Sequence, residues 1–356
     1  RDQPRSRGLG DVYKRQDLDD LRAFAQTVDV ITFDHEHVPT AHLQALEAEG
    51  VAVRPGPAAL RYAQDKLQMR AAVERLGLPN PAWSPVEDLE AVLAFGDAHG
   101  WPMILKTPRG GYDGKGVVKL DSADQARASA TDGTLGTWLA AGISPLLAEA
   151  FVPFTRELSA QVARTPSGQV RAYPVVDSLQ TDGVCDLVVA PAPDLPDELA
   201  SAVAAAAVRI AESLGVVGML AVEVFQTGEG AADFQINELA MRPHNSGHWS
   251  MDGAVTGQFE QHVRAVLDLP LGDTRPLGAH TVMKNLLGGR NQDLYSALPA
   301  ALDAAPNAKI HTYGKDVKPG RKIGHVNVVA ETADDIAAAR EAAERAGAIL
   351  RDGSSD

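Results

Sequence analysis

The sequence predicts a mixed α/β (α+β) fold of several lobes, with a parallel strand–helix unit at its start and a small lobe at its end. Three observations predict it. Helix-like and β-rich segments alternate through residues 18–53. A glycine- and lysine-rich stretch, residues 105–118 (LKTPRGGYDGKGVV), follows a short apolar strand. Two apolar runs at 220–225 and 233–239 then form a hairpin carrying Glu223 and Glu238, with a dense polar run behind it.

Size and composition frame these elements. The 356 residues suffice for two or three lobes with cores of their own. Hydrophobic residues make up 45% and charged residues 22%, the balance of a globular chain. A net charge of −14 argues against a surface built for nucleic acid or an anionic membrane. Local basic loops can still hold small anionic ligands. One cysteine, Cys185, excludes an intrachain disulfide and fits a reducing, cytoplasmic setting. No apolar run is long enough to span a bilayer, and no signal peptide is recognised.

Residues 1–16 (RDQPRSRGLGDVYKRQ) are basic and turn-rich, unlike the acidic, alanine-rich remainder. They read as foreign sequence or as a native disordered tail, outside the fold either way. Residues 17–80 read as the remnant of an N-terminal α/β lobe and a connecting helix. Its parts are a helix at 18–26, a strand at 28–33, a helix at 40–49, a strand at 51–53 and a helix at 58–76. Gly77, with Pro79 beyond it, stops the last helix. The unit begins abruptly, so its opening strands are read as missing. Residues 79–85 read as a linker. A helix at 89–99 and a strand at 103–106 lead into the glycine stretch; a helix at 123–130, a segment at 138–141 and an apolar run at 146–151 follow it. Strands at 157–163 and 170–176 pair, and an alanine-rich helix at 196–214 stops at Gly215. The polar run 241–250 precedes a helix at 257–267. Strands at 281–287 and 323–330 and a helix at 333–346 make the final small lobe.

Glycine-rich loops suit phosphate because bare backbone amides approach closely and adopt conformations other residues avoid. Gly110, Gly111, Gly114 and Gly116 supply that freedom, and Lys106 and Lys115 add charge. No Ser or Thr follows the Gly-Lys pair, so this is not a Walker loop, and the spacing is not that of a dinucleotide fingerprint. Alone, the stretch reads as a lid over a nucleotide's phosphates or as a surface hairpin with incidental lysines. With a turn centred on 227–230, Glu223 and Glu238 become cross-strand partners on one face; a one-residue slip would separate them. Opposed carboxylates in apolar strands need a cation or a proton between them. Magnesium, with its hard oxygen ligands and its bridging of phosphates, is the natural ion, with manganese as the alternative and Asn237 as a further oxygen. Two strand ends pointing into solvent are the other reading. Residues 242–249 (RPHNSGHW) read as a rigid binding loop or as a capped loop whose histidine packs on Trp249. Lys315, Lys318, Arg321 and Lys322 surround Pro319-Gly320 and favour an anion such as a ribose phosphate, or form a solvated basic turn. Asp34-His35-Glu36-His37 reads as a solvent-facing strand end, with a metal site as the rival reading.

These stretches, in this order, resemble the N5-carboxyaminoimidazole ribonucleotide synthetase family of ATP-grasp enzymes in purine biosynthesis. The resemblance runs from about Asp17 to the C-terminus. It is most specific in LKTPRGGYDGKG, in NELAMRPHNSGHW with GQFEQHVRAVL, and in YGK with PGRKIGH. It implies an ATP-grasp fold with a truncated N-terminal parallel α/β lobe. A lid lobe would lie at 81–148, a core lobe at 149–285 and a small C-terminal lobe at 286–356, in a cytoplasmic homodimer. The implied reaction is ATP- and bicarbonate-dependent carboxylation of 5-aminoimidazole ribonucleotide through carboxyphosphate.

By matching position, Lys66 and Lys106 would contact ATP phosphates, with Lys106 also near the adenine. Gly110, Gly111, Tyr112, Asp113, Gly114, Lys115 and Gly116 would close over the triphosphate. Glu149, Ala150, Phe151 and Val152 would form the adenine hinge, and Glu157 would bind the ribose. Asn237 and Glu238 would border ATP, and Glu223 and Glu238 would hold magnesium. Tyr112, Asp113, Lys115, Arg242, His244 and Asn245 would receive the ribonucleotide and bicarbonate, and Lys315 and Arg321 its 5′-phosphate. Asp113, Lys115, Arg242 and His244 are the catalytic candidates, with Asp113 steering the amine or its proton.

The chain also departs from the family. The usual opening GGGQLG-type turn is absent. Gln180 stands where a histidine often precedes the Asp-Gly pair, which puts one adenine-side contact in doubt. DHEHVP replaces EFENVP-like text, with His37 in the asparagine position. Another ATP-grasp ligase and a nucleotide-binding remnant without turnover are the rival readings; the basic cluster at 313–325 disfavours the first.

Overall fold

The structure, a computed structural model, describes residues 17–111, 116–181 and 183–353. The segment 1–16 therefore lies outside the described residues. The N-terminal part holds helices α1 (Leu18–Ala25) and α2 (Thr40–Ala48). Asp17 caps α1 by accepting from the Asp19 and Asp20 amides. Of the two strands expected here, a single parallel bridge forms, Ile31 to Val53.

The helix expected at 58–76 is two helices, α3 (Pro57–Gln64) and α4 (Lys66–Arg75). Asp65 breaks it. Its backbone is extended, and its carboxylate accepts from the Leu67 and Gln68 amides, so it serves as the N-cap of α4. This fixes Lys66 as the first helical residue.

A four-stranded antiparallel sheet follows, built from β1 (Trp83–Val86), β2 (Met103–Lys106), β3 (Val117–Leu120) and β4 (Leu146–Ala150) in the order β1-β4-β2-β3. The expected linker thus contains a strand. Pro85 is tolerated because β1 lies at the sheet edge, where a missing N–H costs no ladder bond. Helices α5 (Leu89–His99), α6 (Ala123–Asp132) and α7 (Thr134–Ala140) cover this sheet. Val92, Phe95, Met103, Leu105, Leu120, Leu135 and Leu146 are buried between the two layers. Gly96 sits mid-helix because the Trp101 indole lies 2.2 Å from where a Cβ would stand.

The second sheet holds nine strands: β5 (Arg156–Arg164), β6 (Val170–Ala172), β7 (Val176–Thr181), β8 (Val184–Ala190), β9 (Gly218–Gln226), β10 (Phe234–Ala240), β11 (His280–Leu287), β12 (Lys309–Thr312) and β13 (Lys322–Ala330). Its order is β10-β9-β5-β7-β8-β11-β13-β12, with β6 paired to β5. The C-terminal strands therefore continue the central sheet through the antiparallel β8–β11 pairing.

Helix α8 (Asp197–Ser213) packs Leu199, Val203, Ala206 and Ile210 onto Leu158, Ala160 and Val162 of β5 and Leu220, Val222 and Val224 of β9. The intervening Glu157, Ser159, Gln161 and Glu223 face the opposite side, because successive side chains alternate along a strand. The short α9 (Ser250–Gly253) and α10 (Gln258–Val266) lie beyond β10. Helices α11 (Leu294–Ala304) and α12 (Ile336–Asp352) share the C-terminal core with Val282, Leu286, Val326 and Val328. Among the described residues, no helix is long and apolar enough to cross a membrane.

Candidate active site

A β-bulge sets the carboxylate pair. Near the turn, β10 pairs with β9 as Phe234 to Gln226 and Ile236 to Val224. The register shifts between Ile236 and Glu238, so Glu238 pairs with Glu223 instead of Val222. Side-chain parity shifts with it. Phe234 and Ile236 point into the core before the bulge, and Leu239 and Met241 after it. Asn237 is the extra residue, and it turns Glu238 onto the face of Glu223. The connection runs over residues 227–233, longer than the expected 227–230 turn.

The two glutamates behave differently. Burial, with repulsion from Glu238 and Glu157, pushes the Glu223 carboxyl up to about 8. Glu238 meets Lys66, whose Nζ is 3.2 Å from Oε1. On the neighbouring strand Glu157 is pushed up to about 7 by burial, with Lys106 pulling the other way. A bound cation would offset the burial and repulsion that hold back the Glu223 carboxyl, so the Glu223–Glu238 donor set fits magnesium. Among the described residues, no cluster of three or more His, Cys, Asp or Glu side chains could hold a metal by itself. Two carboxylates completed by substrate phosphates are how magnesium is commonly held. The Asn237 side-chain oxygen accepts from Lys106 Nζ at 3.2 Å, so it is already engaged.

A buried ion cluster aims the lysines. Arg70 of α4 is fully buried. Its Nε pairs with Glu149 of β4, and its guanidinium donates to the Ile236 carbonyl at 2.5 Å, the Asn237 carbonyl at 3.0 Å and Asn80 Oδ1 at 2.9 Å. Lys106 Nζ lies 2.8 Å from the other Glu149 oxygen. Burial alone would raise the Glu149 carboxyl, but Lys106 and Arg70 hold it below the usual carboxylate range. The Glu149 carboxylate is thus committed to two cations, and it positions Lys106. Phe151, just beyond β4, is 39% exposed, whereas Val152 is buried.

The glycine loop is anchored at its base. Lys66 donates from its backbone to the Pro108 carbonyl at 2.8 Å and from Nζ to the Gly110 carbonyl at 3.3 Å. Arg109 pairs with Asp65 at 3.0 Å, so the residue that caps α4 also holds the loop. Gly116 has φ +74, and Thr107 Oγ1 lies 2.5 Å from where its Cβ would be, so only glycine fits there. Tyr112, Asp113, Gly114 and Lys115 lie outside the described residues.

The polar run leaves β10 with Arg242 held by Glu36: Arg242 Nε is 3.3 Å from Oε2, and the Met241 amide donates to Oε1 at 2.5 Å. Burial raises the Glu36 carboxyl, against the pull of Arg242. His244 Nε2 lies 3.6 Å from Glu223 Oε1. Burial, aided by Arg242 and Lys322, lowers His244 to about 3, so its ring is neutral. Gln258 of α10 donates to the His244 carbonyl at 2.9 Å and sits 2.8 Å from His248 Nδ1.

His248 does not pack on Trp249. It stacks on His325, which in turn stacks on His311, with centroids 4.7 and 4.6 Å apart. Burial depresses His248 and His325, so neutral rings stack without charge repulsion. His311 Nε2 meets Asp252 at 2.7 Å, and Tyr313 Oη lies 2.8 Å from His325 Nδ1. Lys315 is exposed, with its Nζ 5.2 Å from the Tyr313 ring centre, and Arg321 donates to the Asp316 carbonyl at 3.3 Å. A continuous path of contacts therefore joins Glu223 to the basic turn.

Residues 71–259 match the family described as the ATP-grasp domain, residues 281–339 the phosphoribosylaminoimidazole carboxylase C-terminal domain, and residues 12–64 the ribonucleotide synthetase preATP-grasp domain. The chain is 47% identical over 340 residues to the N5-carboxyaminoimidazole ribonucleotide synthase of Mycobacterium bovis, covering 95% of this chain and 77% of that relative. The chain belongs to the N5-carboxyaminoimidazole ribonucleotide synthase family. Its fold is similar to the synthetase of Thermus thermophilus, with a TM-score of 0.81, 35% identity, and 96% and 86% of the two chains covered. It is also similar to the Aspergillus clavatus synthase solved with ADP and 5-aminoimidazole ribonucleotide, with a TM-score of 0.82, 29% identity and 94% and 85% covered. The expected ATP-grasp fold is borne out.

The synthase-family site contains residues that sequence reasoning missed. Arg70 lies one helical turn from Lys66, so the i,i+4 spacing could have pointed to it. Glu36, expected to face solvent or to bind a metal, instead holds Arg242. Ser246 lies in the 242–249 run expected to be a binding loop, without a role of its own there, and Gln161 left no sequence signal. Asn245 enters a 3-10 turn with a buried Nδ2 that has no partner among the described residues. Gln180 donates to Ser178 Oγ at 3.1 Å.

Proposed function

We propose that this chain uses ATP to couple bicarbonate to the exocyclic amine of 5-aminoimidazole ribonucleotide, giving N5-carboxyaminoimidazole ribonucleotide, ADP and phosphate. The observation that carries the reading is the register-locked Glu223–Glu238 pair facing Lys66 and Lys106 at the base of a glycine loop, in a chain of this family. A bicarbonate oxygen attacks the γ-phosphorus, ADP leaves, and carboxyphosphate forms. The amine then attacks the carboxyl carbon, and phosphate leaves. Lys66 and Lys106 orient the phosphates, so catalysis is chiefly positioning and electrostatics. Magnesium, held by Glu223 and Glu238, would neutralise charge on the transferring phosphoryl group. Carboxyphosphate hydrolyses readily, and residues 81–148 serve as the lid that excludes water. On the family resemblance, Asp113 and Lys115 are assigned to the acceptor together with Arg242, His244 and Asn245. A homodimer in the cytoplasm is part of the same proposal, on the strength of the family resemblance; sedimentation as a monomer would remove that part.

Phosphate release that requires bicarbonate and rises with 5-aminoimidazole ribonucleotide is the expected result. No stimulation at saturating ATP would exclude this reading, and ATP protection against unfolding without turnover would favour a nucleotide-binding remnant. Lys315→Ala and Arg321→Ala are expected to raise KM for the ribonucleotide by roughly 10-fold or more each, the scale of a lost charged hydrogen bond, with KM for ATP little changed. Equal effects on both substrates would remove these residues from the 5′-phosphate site.

A further inference from the structure

We infer that His244 works as a fixed hydrogen-bond donor through Nε2, held in that tautomer by Ser246, Ser159 and Gln161, and that it is not the general base. The placement of His244 at the reacting groups rests on the proposed function; the tautomer does not. Histidine beside an amine acceptor would ordinarily be a base candidate. The hydrogen-bond pattern here removes that role from the nitrogen that faces the cleft.

Two accounts of the protons agree. The Ser246 backbone N–H donates to His244 Nδ1 at 3.4 Å, and a backbone N–H can only donate. Nδ1 is therefore an acceptor, and the ring proton sits on Nε2. The side chains give the same answer. Gln161 Nε2 donates to Ser246 Oγ at 2.7 Å and to Ser159 Oγ at 3.0 Å. The two hydroxyl oxygens are 2.8 Å apart. Among the described residues the Ser159 hydroxyl meets only Gln161 Nε2, a donor, and Ser246 Oγ, so it passes its proton to Ser246. The Ser246 oxygen then accepts twice, and its own proton goes to His244 Nδ1, 2.8 Å away.

Ser159, Gln161 and Ser246 are each no more than 1% exposed, so bulk water does not rearrange this chain of donors. The Gln161 orientation is fixed by the same count. Its Oε1 has no partner among the described residues. Reversing the amide would give Oε1 the two hydroxyls but strand both amide protons, which is worse than one under-used acceptor. The strands explain why the group exists: Ser159 pairs with Glu223 and Gln161 with Ala221, on the cleft side of β5.

The consequence lies at Nε2. At 3.6 Å from Glu223 Oε1 it is beyond hydrogen-bonding distance, so its proton is available to an anionic oxygen beside the carboxylate pair. A carboxylate or phosphoryl oxygen of the bicarbonate-derived intermediate is the chemical class that fits. Gln161 and Ser246 are positioning residues for that donor.

The test is long-range proton–nitrogen NMR on the full chain labelled with 15N-histidine near neutral pH. The His244 signals are those absent from His244→Gln. A protonated Nε2 and an acceptor-type Nδ1 are expected. An Nδ1–H tautomer or an imidazolium in the unmodified chain overturns the inference, whether or not the protein turns over. Gln161→Glu replaces a donor with an acceptor of the same shape once it is ionised. Since burial beside Glu223 and Glu157 holds a carboxyl there protonated at neutral pH, this variant is read at alkaline pH. It is expected to reverse the hydroxyl chain, move the ring proton to Nδ1 and lower kcat on the order of 100-fold with KM for ATP little changed. Gln161→Leu offers neither group and is expected to keep the Nε2–H tautomer through the Ser246 amide. Equal losses in both variants without a tautomer change would mean that Gln161 acts by packing alone.

Discussion

Glu223→Gln is expected to cut turnover by roughly 100-fold or more, the scale seen when one electrostatic partner of a developing charge is removed. The same change is expected to stabilise the ligand-free protein at alkaline pH. Glu223 sits opposite Glu238 and beside Glu157, and burial with their repulsion raises its carboxyl from an ordinary 4.5 to about 8. Between those values the folded state binds a proton that the unfolded state has lost. Stability contributed by this group therefore falls as pH rises from about 4.5 to about 8, and stays lost above it. Glutamine removes that slope. Thermal melts across about pH 5 to 9 should show a flatter profile for Glu223→Gln. Magnesium should raise the melting temperature of the unmodified chain at the alkaline end, with a smaller effect on the variant. Turnover at the original rate would mean that the hairpin does not deliver Glu223 to the cation.

Arg70→Ala should be the most destabilising single change in the cleft. It strands Glu149, which is 3% exposed, with Lys106 as its remaining cationic partner, and it leaves the Ile236 and Asn237 carbonyls without their donor. Removing one partner of a buried ion pair costs about 3–5 kcal/mol. Denaturant unfolding measures that loss. ATP affinity should fall too, because Lys106 is aimed by the same carboxylate. The double variant Arg70→Met with Glu149→Leu should recover much of the stability, since buried ion clusters are often replaceable by apolar groups, but not the ATP affinity. Recovery of both would reduce the cluster to a packing role.

The parts of the fold that sequence made legible are those whose signals are local. Helix α5 matches its expected bounds because Asp88 caps it and Gly100 ends it. Strand β2 and the hairpin of β9 and β10 follow from short apolar runs beside glycines. Other elements depend on their neighbours. Strand β1 contains a proline and is a strand because β4 lies beside it. Helix α11 carries Pro299 within it, and neither it nor β12 was expected. Helix α12 runs on past its expected end at Ala346 to Asp352. In the candidate site, the carboxylates and lysines were legible as residue types. Their aiming was not, because Arg70, Glu36 and Gln161 act across separations of 79, 205 and 85 residues. The break at Asp65 was hidden because apolar periodicity continues on both sides of it, while the cap competes through side-chain geometry.

The bulge at Asn237 bears on how this hairpin can change length. Phe234 and Ile236 are held in the core, so residues added to the 227–233 connection would loop out and leave every later pairing as it is. Deleting one residue inside β10 is different. Beyond the bulge, loss of Leu239 would hand its core position to Ala240 and carry Arg242 and His244 out of step with the strands beneath them. Insertions and deletions should therefore accumulate on the turn side of Phe234 and be absent beyond Glu238, a boundary that length variation among relatives can locate without any assay.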